Sequence, residues 1–284
     1  MKARTINEDL ELRNKKRKKN QRAKKRFVFW LEFTLTTGLL VTTLVLLALS
    51  PLFAVNRVEV IGAVHYSEES LISLSRIVKG ENGFRQVGSS PGNMFMLRVG
   101  SAEQAIILGC PYVKTVKVKY VLAGTIVIDV LERTAAAAVP FMGTSLLVDR
   151  EGFVLETLST DSLQKLPYIN GLKFESFELG KKPEYANSEA LQTAFRVLDE
   201  IKVLDRDGSD KLYDSVYSVD VSDLSAVSFS LENRIKVNLG DMQDLNYKLS
   251  SAKTIFEKNI KREDKGILDF TSGENPVFTP ESGG

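Results

Sequence analysis

The sequence predicts an α+β protein with one N-terminal transmembrane helix, then a small domain of three strands and two helices, then a larger mixed β domain with two or more helices. Three observations predict this class. The stretch 33–55 holds 23 consecutive uncharged residues. Helix and strand periodicities alternate up to residue 133, and short strand-like runs between tight turns, with two amphipathic helices among them, continue to residue 270.

The uncharged stretch is long enough to cross a bilayer, because a helix rising about 1.5 Å per residue needs roughly 20 residues for the hydrocarbon core. A cleavable signal peptide is the main alternative. Its apolar region would have about 7 to 15 residues, and here Pro51 directly follows the only Ala-x-Ser candidate. We therefore expect a retained membrane helix in the region 27–55.

The charge distribution predicts the orientation of that helix. Residues 1–26 carry 12 Lys or Arg against three acidic residues, a charge of +9, which leaves −7 for the remainder of a chain whose net charge is +2. Positive flanks stay in the cytoplasm, so the N-terminus is expected there, with Lys24, Lys25 and Arg26 as topology determinants next to the span. The tail has little apolar content and is expected to be disordered in isolation. Contact with anionic lipid is favoured over nucleic-acid binding.

The small domain follows the membrane segment directly, and its pattern is strand, helix, helix, strand, strand. Because each element has only one apolar side, the two helices must cover one face of a three-stranded sheet. The predicted elements are a strand at 56–61, helices at 67–79 and 101–109 with a loop at 81–93 between them, and strands at 116–120 and 126–130 joined by a turn at 122–124.

The larger domain begins after Arg133 and is rich in turns. Two amphipathic helices in it require a sheet to cover. The predicted elements are strands at 146–148 and 153–155 around the turn 149–152, a loop at 166–171, a helix from Ser188 to Ile201, strands at 216–221, 226–231 and 234–239, a helix carrying Leu245 to Phe256, and a strand at 267–270.

Residues that could carry catalysis are few. His65 is the only histidine, which excludes a histidine-based triad within one subunit. Cys110 is the only cysteine, which excludes an intramolecular disulfide, and no base is evident beside it. Ser250 and Lys253 have the Ser-x-x-Lys spacing of serine enzymes that act on the cell wall, but the accompanying Ser-Asp-Asn and Lys-Thr-Gly elements are absent. We expect no catalytic residue.

Metal and cofactor sites are also not expected. The run 205–210, DRDGSD, resembles a calcium loop superficially, but it puts Gly208 fourth where an EF-hand has glycine sixth, and Val216 at the twelfth position where a glutamate is needed. A solvated turn is the preferred interpretation. No glycine-rich phosphate loop is present.

The order of these elements resembles the FtsQ/DivIB family of bacterial cell-division proteins, whose small domain is a polypeptide-transport-associated (POTRA) domain. The resemblance covers nearly the whole chain. Two departures are Ala123, where the family usually has proline, and a long loop at 80–93. The matching motifs are VEVIG (58–62), CPYV (110–113) and IVIDVLER (126–133) in the POTRA domain, and LVDREG (147–152), LPYING (166–171) and VNLG (237–240) in the β domain.

The resemblance implies a domain plan: 1–26 a basic cytoplasmic tail, 27–55 the transmembrane region, 56–133 the POTRA domain, 134–270 the β domain, and 271–284 a C-terminal edge strand and flexible tail. It also implies a non-enzymatic protein of the bacterial cell membrane, single-pass type II and located at the division septum. Its implied partners are FtsL-type and FtsB/DivIC-type division proteins. Through them it would act on the septal penicillin-binding protein and its glycosyltransferase partner, coupling septum assembly to septal peptidoglycan synthesis.

Similar proteins bind the FtsB-type partner along the last strands of the β domain by strand addition. Here those strands would be 267–271 and 274–278, with Phe270, Val277 and Phe278 as apolar anchors. Pro276 lacks an N–H, which suits an edge strand. The implied partner-binding residues are Ile267, Leu268, Asp269, Phe270, Thr271, Val277 and Phe278. Two other classes remain open: a membrane-anchored cell-wall enzyme using Ser250 and Lys253, and a POTRA-type secretion or assembly component.

Overall fold

The computed structural model describes residues 2–88, 90–121, 124–159, 166–206, 211–272 and 275–281, with backbone alone for 2–23 and 159. The chain divides into two compact units. The first unit comprises residues 1–59, 76–101 and 118–128, and the second comprises 60–75, 102–117 and 129–284.

The secondary structure confirms a mixed α+β protein. The described helices are α1 (Lys2–Ala48), α2 (Glu68–Ser75), α3 (Gly83–Gln86), α4 (Pro91–Met96), α5 (Gly100–Gly109), α6 (Ser188–Leu204), α7 (Leu212–Ser215) and α8 (Leu245–Lys258). The strands are β1 (Arg57–Ile61), β2 (Val113–Val121), β3 (Thr125–Glu132), β4 (Ala137–Phe141), β5 (Thr144–Val148), β6 (Val154–Ser159), β7 (Tyr168–Asn170), β8 (Val216–Asp220), β9 (Val227–Leu231), β10 (Ile235–Gly240), β11 (Gly266–Asp269) and β12 (Val277–Pro280).

Helix α1 begins much earlier than the predicted span. The basic tail, expected to be disordered in isolation, is helical from Lys2 onwards. Its Lys, Arg, Glu and Gln residues are good helix formers even though they have nothing apolar to pack. They also extend a helix that the apolar segment has already nucleated, so the cost of starting a new helix does not arise.

The same helix ends at Ala48, before the predicted end of the transmembrane region at residue 55. Within the described part of the chain one segment, Lys24–Ala48, is long and apolar enough to span a membrane. Pro51 has no N–H for a helical bond, and it holds Ser50 in an extended conformation. The chain then makes a 3₁₀ turn at Pro51–Phe53, and Val55 is fully buried in the first unit.

The small sheet has the predicted three strands, in the order β1-β3-β2. Alternate residues of β2 and β3 are buried, as the period of two predicted. The predicted 81–93 loop contains α3 and the start of α4, whose first turns are capped by Asn82 and Ser90. The predicted turn at 122–124 lies partly outside the described residues.

Helix α2 is shorter than predicted. It ends at Ser75 because Arg76 adopts a left-handed conformation, with φ 55°. Val78, predicted on its apolar face, lies beyond the helix end. Its backbone N–H and C=O instead bond to the side chain of Gln86, at 3.1 and 2.8 Å.

The large sheet has nine described strands in the order β12-β11-β10-β9-β8-β7-β4-β5-β6. Its core includes the predicted stripe of α6 and the apolar face of α8, both within the second unit. One prediction was wrong: the segment 166–171 is not only a loop. It contains β7, which pairs in parallel with both β4 and β8 and buries Ile169.

Candidate partner-binding edge of the large sheet

The predicted partner-binding strands form one edge of the large sheet. β11 pairs in parallel with β10, and α8 lies between them in the chain, as a parallel connection requires. β12 then returns antiparallel to β11, with Ile267 opposite Thr279 and Leu268 opposite Phe278. β12 is therefore the last strand on this side of the sheet.

Side chains on these strands alternate between the core and solvent. Leu268 is buried, and Phe278 packs against the core of the second unit together with Phe270. Ile267 and Val277 point to the opposite face, where they are 43% and 51% exposed. An inner apolar row thus holds β12 in place, and an outer row is open to solvent.

A close approach at Gly266 makes this pairing possible. A Cβ atom there would lie 2.3 Å from the carbonyl oxygen of Thr279 and 3.0 Å from the ring of Phe278. Such distances cannot be accommodated unless β12 shifts. Glycine at position 266 is therefore a requirement of the β11–β12 contact, independent of its backbone angle.

The free edge of β12 presents few hydrogen-bond donors. Glu281 N–H donates to Lys265 C=O at 2.8 Å, whereas Gly266 N–H donates to Arg234 C=O on the β10 side at 3.1 Å. Antiparallel pairing alternates, so residues 277, 279 and 281 bond to β11, and residues 278 and 280 point their backbone groups outwards. Position 280 is proline, so Phe278 supplies the outward N–H of this strand.

Asp269 stabilises the connection between the two strands. Its carboxylate accepts hydrogen bonds from the hydroxyl of Ser272 and from the backbone N–H and hydroxyl of Thr271, at 2.9 and 2.7 Å. The Ser272 bond is the main reason why the pKa of Asp269 lies below its usual range. Asp269 and Thr271 therefore bond to each other beside the edge.

A shallow depression of ≈ 430 Å³ lies beside the edge and is lined by Lys236, Ile267 and Thr279, among others. Arg234 at its margin is held by Glu232 at 2.8 Å and by the carbonyl oxygens of Lys261 and Asp264 at 2.9 and 2.7 Å. Lys236 is exposed. The surface next to β12 therefore combines exposed aliphatic groups with the positive charge of Lys236 and the negative charge of Glu281.

The structure brings the predicted residues of both strands together, but it gives them different surroundings. Val277 and Ile267 face solvent, while Leu268, Phe270 and Phe278 contribute to the core. The sequence prediction missed Thr279 and Pro280, because it ended the last strand at Phe278. Pro276 and Pro280 are four residues apart and would lie on the same side of a strand, which is the signal that could have extended it.

The residues considered as candidates for catalysis are His65, Cys110 and the pair Ser250 and Lys253. His65 is exposed and stacks on Tyr112, with ring centroids 3.7 Å apart. Cys110 is fully buried, and burial raises the pKa of its thiol. The ammonium of Lys253 donates a hydrogen bond to the carboxylate of Asp205 at 2.6 Å, which joins α8 to the end of α6.

Metal binding has no support among the described residues, which hold no group of three or more His, Cys, Asp or Glu side chains arranged for an ion. Residues 207–210 of the superficial calcium loop lie outside the described residues. Asp205, its first member, caps α6 and pairs with Lys253.

The predicted topology determinants Lys24, Lys25 and Arg26 are exposed at the N-terminal end of the candidate span Lys24–Ala48. Both features fit a membrane-anchored protein with an α+β part after the anchor. The class defined by this fold is thus a single-anchor protein that carries a small three-stranded domain and a large sheet with an open edge.

Comparison with known proteins gives this class a family. A sequence model described as "Cell division protein FtsQ/DivIB, C-terminal" matches residues 138–270, which run from β4 to the residue after β11. The cell division protein DivIB of Clostridium tetani is 26% identical over 242 residues, covering 84% of each chain. DivIB of Clostridium acetobutylicum is 25% identical over 229 residues, covering 81% of this chain and 84% of that protein.

A third relative, the cell division protein FtsQ of Corynebacterium glutamicum, is 22% identical over 212 residues, covering 75% of this chain and 82% of that protein. The family model and these three relatives support the assignment of the chain to the FtsQ/DivIB family of cell division proteins. This is a non-enzymatic family, so the prediction of a non-catalytic protein is confirmed by family membership.

Proposed function

We propose that this cell division protein is a single-pass type II membrane protein of the division septum that binds other division proteins along the edge strand β12. FtsB/DivIC-type and FtsL-type proteins are the proposed partners. Through them it would act on the septal penicillin-binding protein and its glycosyltransferase partner, and so help couple septum assembly to septal peptidoglycan synthesis. The proposed domains are the POTRA domain at 56–133 and the β domain at 134–270, followed by the edge strand.

The open edge of β12 is the observation that carries the binding proposal. An exposed edge offers unpaired backbone groups to a further strand, and side-chain pockets add specificity. The pairing of β12 with β11 leaves Phe278 N–H and C=O and Pro280 C=O directed outwards. Phe278 and Leu268 hold the strand against the core, so the edge is preorganised for a partner.

The two prolines restrict how a partner strand can bind. Phe278 can exchange two backbone bonds with a partner residue, but Pro280, and Pro276 if the strand continues to it, can only accept. A partner acceptor that lies opposite either proline receives no hydrogen bond from this edge. The edge therefore favours a short pairing centred on Phe278. The exposed side chains of Val277 and Ile267 supply the apolar contact on the outer face.

The test is co-purification of the full-length protein with a DivIC-type partner, using substitutions at exposed positions. Val277→Lys and Ile267→Lys place a charge on the outer face of the edge and should reduce binding at least tenfold, since each removes a desolvated anchor. Val203→Lys is the matched control, because Val203 is 44% exposed and belongs to α6, which is not part of the edge. Undiminished binding by both edge variants would place the interface elsewhere.

The septal location has its own test. A fluorescent protein fused at the N-terminus should form a ring at mid-cell before constriction in dividing cells of the source organism. Uniform membrane fluorescence from a functional fusion would contradict the septal part of the proposal. The β12 edge would then have to bind partners that are not confined to the septum.

A further inference from the structure

Helix α4 exposes three consecutive apolar side chains. Met94, Phe95 and Met96 are 61%, 90% and 58% exposed. Successive residues of a helix lie about 100° apart, so three in a row cover more than half of its circumference. A helix lying on a protein surface would bury one of them, whereas all three are more than half exposed here. Such patches in soluble proteins mark interaction sites.

The exposed turn is held firmly at both ends. Ser90 accepts a hydrogen bond from Asn93 N–H at 3.3 Å, and Asn93 C=O accepts from Arg98 N–H at 2.8 Å. Arg98 C=O in turn accepts from Gly88 N–H at 3.0 Å, which joins the two ends of the loop. The three apolar side chains therefore project from a loop whose backbone is held by these hydrogen bonds.

The loop that carries α4 is hydrogen-bonded to the end of α1 within the same compact unit. Tyr120 N–H donates to Leu97 C=O at 2.8 Å, and the Tyr120 hydroxyl donates to Phe53 C=O at 3.1 Å. At the other end of the loop, the Asn82 side-chain amide donates to the carbonyl oxygens of Ala48 and Ser50, at 2.9 and 2.8 Å. Asn82 at the start of the loop and Tyr120, which bonds to Leu97 at its end, thus connect the loop to the residues at the end of α1.

The length of the helix sets the depth of these contacts. From Arg26 to Ala48 an α-helix rises about 33 Å, against about 30 Å for the hydrocarbon core. With the basic residues at the cytoplasmic surface, Ala48 lies at the outer boundary of the hydrocarbon. The loop stems bonded to Ala48, Ser50 and Phe53 then lie at the depth of the lipid headgroups.

The charge of the first unit also favours contact with the membrane surface. The parts of the first unit beyond α1, residues 49–59, 76–101 and 118–128, contain six Lys or Arg and two acidic residues. The second unit contains 20 Lys or Arg and 30 acidic residues. An excess of basic residues in the unit that carries an exposed apolar turn is the combination that favours an anionic lipid surface.

We propose that α4 inserts Met94, Phe95 and Met96 into the outer headgroup layer of the membrane that α1 crosses, with a preference for anionic lipid. This second, non-covalent contact with the membrane fixes the orientation of the first unit relative to the bilayer. It is independent of the proposed partner-binding edge.

Tryptophan fluorescence of the full-length protein reconstituted in vesicles tests the proposal. Trp30, the only tryptophan, is replaced by phenylalanine, and Phe95→Trp or Met94→Trp supplies the reporter. The vesicles contain phosphatidylcholine with brominated acyl chains and the anionic lipid phosphatidylglycerol. Met142→Trp is the matched control, because Met142 is 86% exposed and belongs to the acidic second unit.

Both α4 reporters should emit at shorter wavelength than the control, and bromine should quench them several-fold more strongly. Omitting phosphatidylglycerol should weaken that quenching; an unchanged value would overturn the preference for anionic lipid. Quenching equal to the control, with free access for aqueous iodide, would overturn the membrane contact. A reporter shielded from both bromine and iodide would also overturn it, because a protein, such as a second copy of the chain, would then cover α4.

Discussion

Asp205 shows how one side chain can join three helices. It ends α6, accepts hydrogen bonds from Leu212 N–H and Tyr213 N–H of α7 at 3.1 and 2.8 Å, and pairs with Lys253 of α8 at 2.6 Å. Burial alone would raise the pKa of Asp205, but Lys253 and the two N–H groups together hold it below its usual range. The charged carboxylate is thus the form that the fold stabilises.

We predict that Asp205→Asn lowers the free energy of unfolding by about 2 kcal/mol at neutral pH, because it removes charge-assisted hydrogen bonds at a buried site. Asp199→Asn is the control. It removes an exposed ion pair with Arg150 and should cost less than about 0.5 kcal/mol. Denaturant unfolding of the purified full-length protein in detergent measures both.

The pH dependence of that difference follows from the lowered pKa of Asp205. A depressed carboxylate pKa contributes stability that is present above its ordinary value, near about 4, and is lost as pH falls through the lower, folded-state value. The difference between Asp205→Asn and the native protein should therefore shrink as the pH falls below about 4. A constant difference there would show that shape, rather than charge, is responsible.

A second prediction at the residue scale concerns Gly266. Gly266→Ala adds a methyl group 2.3 Å from the carbonyl oxygen of Thr279, which forces β12 to shift and should cost about 1 to 3 kcal/mol. Hydrogen exchange of the Val277 and Thr279 amides, which bond to β11, should accelerate. Gly92→Ala is the control, because a Cβ atom at Gly92 meets nothing within 4 Å. Unchanged exchange in Gly266→Ala would mean that the pairing adapts to a side chain.

At the scale of elements, the end of α1 depends on a side chain from elsewhere in the first unit. Asn82 satisfies two carbonyl oxygens at that end and accepts from Phe84 N–H at 3.0 Å, and the Asn82 side chain is buried. Removing it takes the Asn82 partner from Ala48 C=O and Phe84 N–H, and Pro51 provides no N–H to replace it, whereas Ser50 C=O still accepts from Phe53 N–H at 3.2 Å.

We predict that Asn82→Ala costs about 1 to 3 kcal/mol and speeds hydrogen exchange at Phe53, Ala54 and Val55, since buried polar groups lose their partner. Asn246→Ala, at an exposed position of α8, is the matched control and should change neither quantity. Equal exchange in the two variants would show that water replaces the Asn82 amide.

Elements with a strong period were predictable from the sequence, whereas elements that depend on their neighbours were not. The stripe of α6 and the alternation of β2 and β3 appear in the structure with the predicted residues buried. β7 has three residues between a proline and a glycine, and only its pairing with β4 and β8 makes it a strand. The short helices α3 and α4 begin at caps within a segment rich in glycine, serine and proline, a composition typical of loops.

The candidate site was predictable in part for the same reason. The apolar residues of β11 and the valine and phenylalanine of β12 indicated two strands, and family resemblance indicated their role. Which backbone groups of β12 point outwards depends on its pairing with β11, so the restriction that Pro280 imposes could not be derived from the sequence. The burial of Phe270 and Phe278 likewise depends on α8 and the core beneath the sheet.

At the scale of the whole molecule, charge is distributed unevenly along the chain. The tail up to residue 26 carries +9, whereas the remainder carries −7. Lysine and arginine near a membrane helix resist translocation, while acidic residues have little effect on orientation. The 12 basic residues of the tail should therefore determine the direction in which α1 crosses the membrane.

We predict that replacing all 12 basic residues of the tail by glutamine produces a mixture of the two orientations, because the charge that keeps the tail in the cytoplasm is then lost. Replacing Lys24, Lys25 and Arg26 alone should have a smaller effect, since nine positive charges remain within reach of the membrane. Protease added outside cells stripped of their wall should digest the native ectodomain completely and leave a protected N-terminal fragment. Complete digestion of the twelvefold variant as well would show that the ectodomain crosses the membrane irrespective of the tail, and orientation would then depend on the α1 segment itself.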